Sequence, residues 1–287
     1  MNPAVRAIGR AALAAHPITL DEVNARAELL ARYDNSYLVP VEVFEDLAAL
    51  LTDPRRAAGP FRALSIGGKR WFRYHSTYYD TPELLTFHDH RQGRRLRYRI
   101  RERVYQDSGE RQFEIKLKSG RGETVKHRQR LEGDDHVLDG VRLGFLAGVL
   151  RGSYGIEAPD GLTPSLVTDY QRATFVADGQ RITCDAGLVV RDTATGRSAA
   201  ADSGLVLVET KTKGHLTDAD RVLHRFGVRA ADFTKYCGGY AAVRPELGIN
   251  KWARAVRTAF PRTPSPQTAS PQTAFRGTAS PRAGTSG

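Results

Sequence analysis

The chain has 287 residues, with 43 lysines and arginines against 32 aspartates and glutamates, a formal charge of +11 at pH 7. With 40% hydrophobic residues it can bury one large core or two small ones, and its basic excess favours nucleic acid, an anionic membrane or a phosphate-rich small molecule as partner. Cys184 and Cys237 form no CxxC pair, and no stretch approaches the roughly 20 apolar residues of a membrane span, so a soluble cytoplasmic protein without a structural disulfide or zinc site is expected.

Residues 1–18 are alanine-rich with Arg6 and Arg10 but lack a sustained apolar core, which predicts a flexible segment and not a signal peptide. Thr19 and Asp21 offer caps for a helix over 22–32, leading into an extended 36–39. A second helix over 41–51 places Val43, Leu47, Leu50 and Leu51 on one side and stops near Asp53-Pro54. Strands then dominate, at 71–79, 94–105, 111–118 and 123–130, with Gly120 and Gly122 turning the last two into a hairpin. A helix over 141–150 connects to strands at 166–176, 180–190 and 205–213, and helices follow at 217–226, 233–243 and 249–260. The folded part is therefore expected over 19–260. Residues 261–287 repeat SPQTA twice and read as a disordered tail.

Within the strands the charges alternate. Arg95, Arg97, Arg99, Arg101 and Arg103 take every second position, while Leu96, Tyr98, Ile100 and Val104 occupy most of the positions between. On a strand this puts five guanidiniums on one face, a row of roughly 27 Å at about 3.3 Å per residue. A solvated basic face would explain one such run. But Glu114, Lys116 and Lys118 share a parity, as do Thr124, Lys126, Arg128 and Arg130, and again Leu207, Glu209, Lys211 and Lys213. A sheet carrying all of these outside would repel itself, whereas one curled around a polyanion gains counter-charge on every strand.

Familiar phosphate motifs are missing. No GxxxxGK[ST] is present, Gly67-Gly68-Lys69 lacks its spacing, and no dinucleotide-binding glycine fingerprint follows a strand. His88-Asp89-His90 is a poor metal site if extended, because adjacent side chains then point apart. Phosphoryl transfer asks for positioning, neutralisation of oxygen charge and a divalent ion bridging phosphates. Arginines with one or two carboxylates meet that need. Glu209, beside Lys211 in a Leu-Val-Leu-Val run, is the metal candidate, with a salt bridge as its alternative; for Glu114 a salt bridge with Lys116 is expected.

Taken together, Tyr79-Asp80-Thr81-Pro82, Gly93-Arg94-Arg95 and the arginine-rich strand, Phe113-Glu114-Ile115-Lys116, Gly122-Glu123-Thr124-Val125-Lys126, Tyr170-Gln171-Arg172, Val208-Glu209-Thr210-Lys211 and Phe233-Thr234-Lys235-Tyr236 follow an order that resembles the VTC domain. This is the polyphosphate polymerase domain of the vacuolar transporter chaperone complex, here in its bacterial form, and it belongs to the CYTH or triphosphate tunnel metalloenzyme superfamily. The resemblance spans about residues 27 to 252 and implies an α+β fold: an eight-stranded antiparallel β tunnel with a basic lumen, flanked by helices. It implies a phosphotransferase that moves the terminal phosphate of ATP to a polyphosphate chain with a divalent metal, Mn²⁺ or Mg²⁺. By position, Arg99 and Arg101 match the paired tunnel arginines, with Arg97 their partner in a shifted register, and Lys235 matches the lysine near the reaction centre. Lys116, Lys126, Arg172 and Arg181 match further substrate-binding positions, to which Lys211 adds a cation on the face of Glu209, itself the match to the metal-binding glutamate.

One departure stands out: bacterial relatives commonly read Asp-Arg-Lys-Tyr where this chain has Asp34-Asn35-Ser36-Tyr37, so an early arginine and a tunnel lysine are replaced. An inorganic triphosphatase and a non-catalytic polyphosphate or nucleotide-binding module therefore stand as alternatives to the polymerase. Nucleic acid is not expected as a partner, since no base-stacking aromatic platform shares the arginine face. The chain has no membrane span of its own in this reading, and polyphosphate export would require a membrane-protein partner.

Overall fold

The computed structural model describes residues 2–27, 31–118, 124–132, 138–177, 179–212, 214, 216–248 and 250–261. The elements run α1 (Pro3–Ala14), β1 (Pro17–Ile18), α2 (Leu20–Ala27), β2 (Ala31–Pro40), α3 (Val41–Thr52), β3 (Arg62–Leu64), β4 (Trp71–Asp80), α4 (Leu85–Gln92), β5 (Tyr98–Tyr105), β6 (Glu110–Lys118) and β7 (Thr124–Leu131). The second half continues with α5 (Gly140–Tyr154), β8 (Thr163–Ala177), β9 (Gln180–Asp192), β10 (Ser198–Ala200), β11 (Leu205–Thr212), α6 (Asp218–Arg225), α7 (Lys235–Val243) and α8 (Ala253–Ala259).

Eight of these strands form a ring. Hydrogen-bonded neighbours run β8-β4-β5-β6-β7-β2-β11-β9, and β9 pairs again with β8, every step antiparallel. The seam between β2 and β7 is short, with Ala31 opposite Val125 and Arg32 opposite Thr124. Closure gives each strand an inner and an outer face, and side-chain alternation distributes the sequence between them.

The outer faces are covered by helices. Val39, Phe175, Ile182, Cys184, Val206 and Val208 join Ile8 of α1, Phe44 and Leu47 of α3 and Leu223 of α6 in one buried cluster. Ile100, Phe113 and Ile115 pack against Leu146 and Leu150 of α5 in another. Glu102 shares this outer parity and is buried in an ion pair with Arg111, whose Nε donates to it at 3.0 Å.

Inside, the barrel is apolar at one end and charged at the other. All nine residues of α7 are buried, and Tyr236, Cys237, Tyr240, Ala241, Ala242 and Val243 join Leu166, Leu188, Val190 and Leu207 from the inner wall in one cluster. Two glycines allow this approach: a Cβ on Gly238 would lie 2.2 Å from the Phe233 ring, and one on Gly239 would meet Leu166 and Val190 at 3.0 and 3.1 Å. Gly187, at φ +64°, makes a bulge that sets two β9 residues against Tyr170 of β8. This shifts the β9 parity, so Arg181, Thr183 and Asp185 face inward before the bulge, and Leu188 and Val190 after it.

Several expectations need correction. The N-terminal segment is the helix α1, capped by Asn2 and half of it buried, because its alanines and Ile8 form one apolar stripe. The helix predicted over 22–32 ends at Ala27, and β2 starts at Ala31, well before residue 36. The arginine strand begins at Tyr98, leaving Arg95 on an exposed loop outside the row. Residues 262–287 and Lys213 lie outside the described residues, as do Gly120 and Gly122.

Candidate functional site in the barrel lumen

The charged end of the barrel encloses a cavity of about 1130 Å³. Arg97, Arg99, Arg101, Lys116, Lys126, Arg172, Arg181, Glu209, Lys211 and Lys235 all line it. The inner parity of each strand accounts for most of this. Tyr78, Arg101, Glu114 and Arg128 sit opposite one another across β4 to β7, Arg99 faces Lys116, which faces Lys126, and Arg181 faces Lys211, which faces Asp34. Arg103 continues the β5 row and is buried, its Nη2 donating to the Tyr170 hydroxyl at 2.8 Å.

Two carboxylate knots hold these cations. Glu114, 1% exposed, accepts from Arg101 Nε and from Lys126 Nζ, each at 2.6 Å, with Arg103 at 3.8 Å. The expected pair with Lys116 does not form. Side chains two apart on one strand run parallel, while Arg101 lies directly across from Glu114, and Lys116 donates instead to Asp34 at 2.8 Å. Burial works to raise the Glu114 pKa, but Arg101, Lys126 and Arg103 hold it well below the usual range. Burial pushes Lys126 down to about 7, against the pull of Glu114.

The second knot joins β8, β9, β11 and α7. Asp185 accepts Arg172 Nε at 2.5 Å and Nη2 at 2.7 Å, and also pairs with Lys235. Glu209 takes Lys211 Nζ at 3.0 Å and Lys235 Nζ at 3.3 Å, with Arg172 at 3.8 Å. Burial opposes ionisation of Glu209, yet Lys235, Lys211, Arg172 and Lys116 hold its pKa well below the ordinary value. Burial also acts against the charge on Lys235, and Asp185 and Glu209 more than offset it, so its pKa is raised. Tyr170 supports this knot, with the Lys235 ammonium 4.7 Å from its ring centroid and the Arg172 guanidinium at 5.3 Å.

The run from Phe233 to Tyr236 explains how Lys235 is placed. Phe233 fills the space left by Gly238, Thr234 caps α7 through Cys237 N at 3.2 Å, and Lys235 opens the helix facing the lumen. Tyr236 donates to the buried carboxylate of Asp80, which also accepts the amides of Thr81 and Thr86 at 2.9 Å and of Phe87 at 3.1 Å. Asp80 thus ties β4, the start of α4 and α7 together behind the lysine.

Other assignments change. Arg97 stands before β5 and donates to the carbonyl of Arg94 at 2.6 Å. Arg99 has a buried Nε with no acceptor among the described residues. His88, Asp89 and His90 lie on α4, not on an extended chain, and His90 lines the cavity. The two altered positions separate. Ser36 is on the inner wall, paired in register with Glu209, whereas the neighbouring Asn35 donates its amide to Asp220 at 3.3 Å, although both residues border the cavity. Sequence reasoning missed Asp185, whose parity with Arg181 was the available signal, and Asp34, whose partner lies 82 residues away.

No group of three or more His, Cys, Asp or Glu side chains able to hold a metal occurs among the described residues. The donor set therefore does not fit a resident cage. Glu209 faces the lumen as a single carboxylate paired with Lys211 and Lys235, a donor suited only to an ion whose other ligands come from outside the chain.

A family model described as the VTC domain matches residues 21–244. The chain belongs to the VTC domain family. Solved structures similar to this VTC domain are distant. One from Bacillus halodurans, assigned as a candidate adenylate cyclase, has 14% identity and a TM-score of 0.42, covering 71% of this chain and 93% of its own. A Hippeastrum protein, assigned as a candidate adenylyl cyclase and reported to have a dominant triphosphatase activity, has 14% identity and a TM-score of 0.38, covering 77% and 99%. The S. pombe RNA triphosphatase has 11% identity and a TM-score of 0.26, covering 78% and 75%. No curated protein matches the chain. No helix among the described residues is long and apolar enough to cross a membrane.

Proposed function

We propose that this VTC domain is a polyphosphate polymerase that transfers the terminal phosphate of ATP to a polyphosphate chain within the barrel lumen. The observation that carries the reading is a large, partly open cavity in which arginines and lysines outnumber carboxylates and line successive strands of the ring. A linear polyanion gains a cation at each step along such a wall, whereas a lone phosphate engages only one cluster.

Lys235 and the paired Arg99 and Arg101 are the catalytic candidates. Lys235 is kept cationic by Asp185 and Glu209 and held by Asp80 through Tyr236, so it meets the developing charge on a transferred phosphoryl group without reorganising. Arg101 is fixed by Glu114, whereas Arg99 reaches the lumen with its Nε unclaimed. Arg97, Lys116, Lys126, Arg172, Arg181 and Lys211 bind the remaining phosphates. A divalent ion held by Glu209, Mn²⁺ or Mg²⁺, would neutralise oxygen charge when bound with substrate.

Ser36 favours a second reading. A family lysine position carries a hydroxyl directly across from Glu209, which thins the cation set at the proposed centre and suits hydrolysis of a short triphosphate or binding alone. Incubation with ATP and Mn²⁺ followed by chain-length analysis separates the three: polyphosphate supports the polymerase, orthophosphate alone the triphosphatase, and unchanged ATP the binding module.

A further inference from the structure

Tyr78 has no role in the readings above, yet it lines the cavity and is only 4% exposed. It is an inner residue of β4, set in register against Arg101 of β5. Its hydroxyl oxygen accepts from Arg101 Nη1 at 3.2 Å, while Nε and Nη2 of the same guanidinium go to Glu114. Its ring packs on Tyr236 with centroids 5.0 Å apart, and Tyr236 follows Lys235 in the chain and is itself fixed on Asp80. The phenol is thereby anchored to both carboxylate knots, through its hydroxyl to the Glu114 knot and through its ring to the residue beside Lys235. What it lacks is an acceptor. The bond from Arg101 is the only one its hydroxyl makes among the described residues, so its own proton is unspent.

A buried hydroxyl proton without an acceptor is costly, and this one belongs to a wall whose cations call for an anion. Burial opposes ionisation of the phenol, yet Arg101, Arg103, Arg99 and Lys235 together bring its pKa below the ordinary value. An oxygen that accepts from a guanidinium also becomes a stronger donor through its own proton. We propose that Tyr78 binds the phosphate chain directly, its hydroxyl donating to the oxyanion of a phosphate held beside Arg101. The partner it needs is a fully ionised phosphate oxygen, the form that a cationic wall favours. This rests on the reading of the lumen as a phosphate-chain site. It adds a neutral, directional donor to a set otherwise made of cations.

The test compares wild-type protein with Tyr78→Phe, which removes the hydroxyl and keeps the ring, by metal-free calorimetry with tripolyphosphate at pH 7 over a series of salt concentrations. Thermal unfolding of both establishes that the fold is kept. Tyr78→Phe should weaken binding by about tenfold or more, the worth of one hydrogen bond to a charged group, and leave the dependence of affinity on salt unchanged, because no cation is lost. Tyrosinate absorbance of the wild type, titrated with and without tripolyphosphate, follows the phenol without any substitution. Its earliest step should lie below the ordinary tyrosine range, be missing in Tyr78→Phe, and move up by at least about one pH unit when tripolyphosphate is bound. A loss of less than about threefold in Tyr78→Phe, or an absorbance step that tripolyphosphate does not move, overturns the contact while leaving the tunnel reading intact. So does a loss that comes with a weaker salt dependence, which would assign Tyr78 to holding Arg101 in place. Wild-type protein that binds tripolyphosphate no better than orthophosphate overturns the tunnel reading and the contact with it.

Discussion

Replacing Glu114 by glutamine removes the one carboxylate that Arg101 and Lys126 share at the centre of the lumen. The site is 1% exposed, so water does not replace the lost charge. The two cations respond differently. Arg101 cannot shed its proton, whereas Lys126 already sits at about 7 with Glu114 its strongest support, and without it becomes neutral at pH 7. The cost is therefore that of one stranded guanidinium, about 3 kcal/mol, the low end of the 3–5 kcal/mol for breaking a buried pair. At roughly 2–4 °C per kcal/mol for a domain of this size, the melting temperature should fall by about 6–12 °C. A bound polyanion supplies the missing negative charge, so tripolyphosphate should raise the melting temperature of Glu114→Gln more than that of the wild type. Thermal unfolding at pH 7 with and without tripolyphosphate, at matched ionic strength, measures both. A fall of less than about 2 °C, or a ligand-induced rise no larger than in the wild type, would refute the reasoning.

Glu209→Gln should abolish metal-dependent turnover while keeping or tightening metal-free tripolyphosphate binding; normal metal-dependent activity would reassign Glu209 to a structural ion pair with Lys211 and Lys235. Ser36→Lys should strengthen tripolyphosphate binding by up to the 1.5–3 kcal/mol of a charge-assisted hydrogen bond, less whatever the new ammonium spends on Glu209 across the strand, and an unchanged affinity in calorimetry would count against Ser36 weakening the site. Lys126, at about 7 in the free protein, should be raised by bound phosphate, so affinity falls as pH rises above 7, by up to about tenfold per unit, and a pH titration of Lys126→Arg should be flatter. The same depressed pKa means that the unfolded chain binds more protons above pH 7, so this lysine makes the unliganded fold more stable as pH rises from about 7 toward its ordinary value of 10.5.

Period-two patterning made the barrel legible because its inner wall is charged where a soluble sheet would bury apolar side chains. Arg99, Arg101, Lys116, Lys126, Glu209 and Lys211 reveal their shared face by parity alone, and the ring brings them together. Parity does not reveal which charges pair. Glu114 was expected beside Lys116, but pairing depends on the register of β5 against β6, which sets Arg101 opposite it. Asp185 was obscured by the Gly187 bulge, after which β9 turns apolar side chains inward. His90 was misread because α4 carries few helix signals, with Leu84 at its N-cap making no side-chain cap. The helix starts there because Asp80, four residues upstream of Leu84, accepts the amides of Thr86 and Phe87, an arrangement visible only in three dimensions. Likewise, α1 has no sustained apolar core of its own, and its order depends on the partner surface that α3 and the outer wall supply.

The most direct measurement is calorimetric titration of the purified protein with orthophosphate and with tripolyphosphate, each at low and at moderate salt. A lumen of cations on successive strands predicts that tripolyphosphate binds far more tightly than orthophosphate, by about two orders of magnitude or more, and that its affinity falls steeply as salt screens the wall. Equal affinities for the two anions, or tripolyphosphate binding indifferent to salt, would contradict the account.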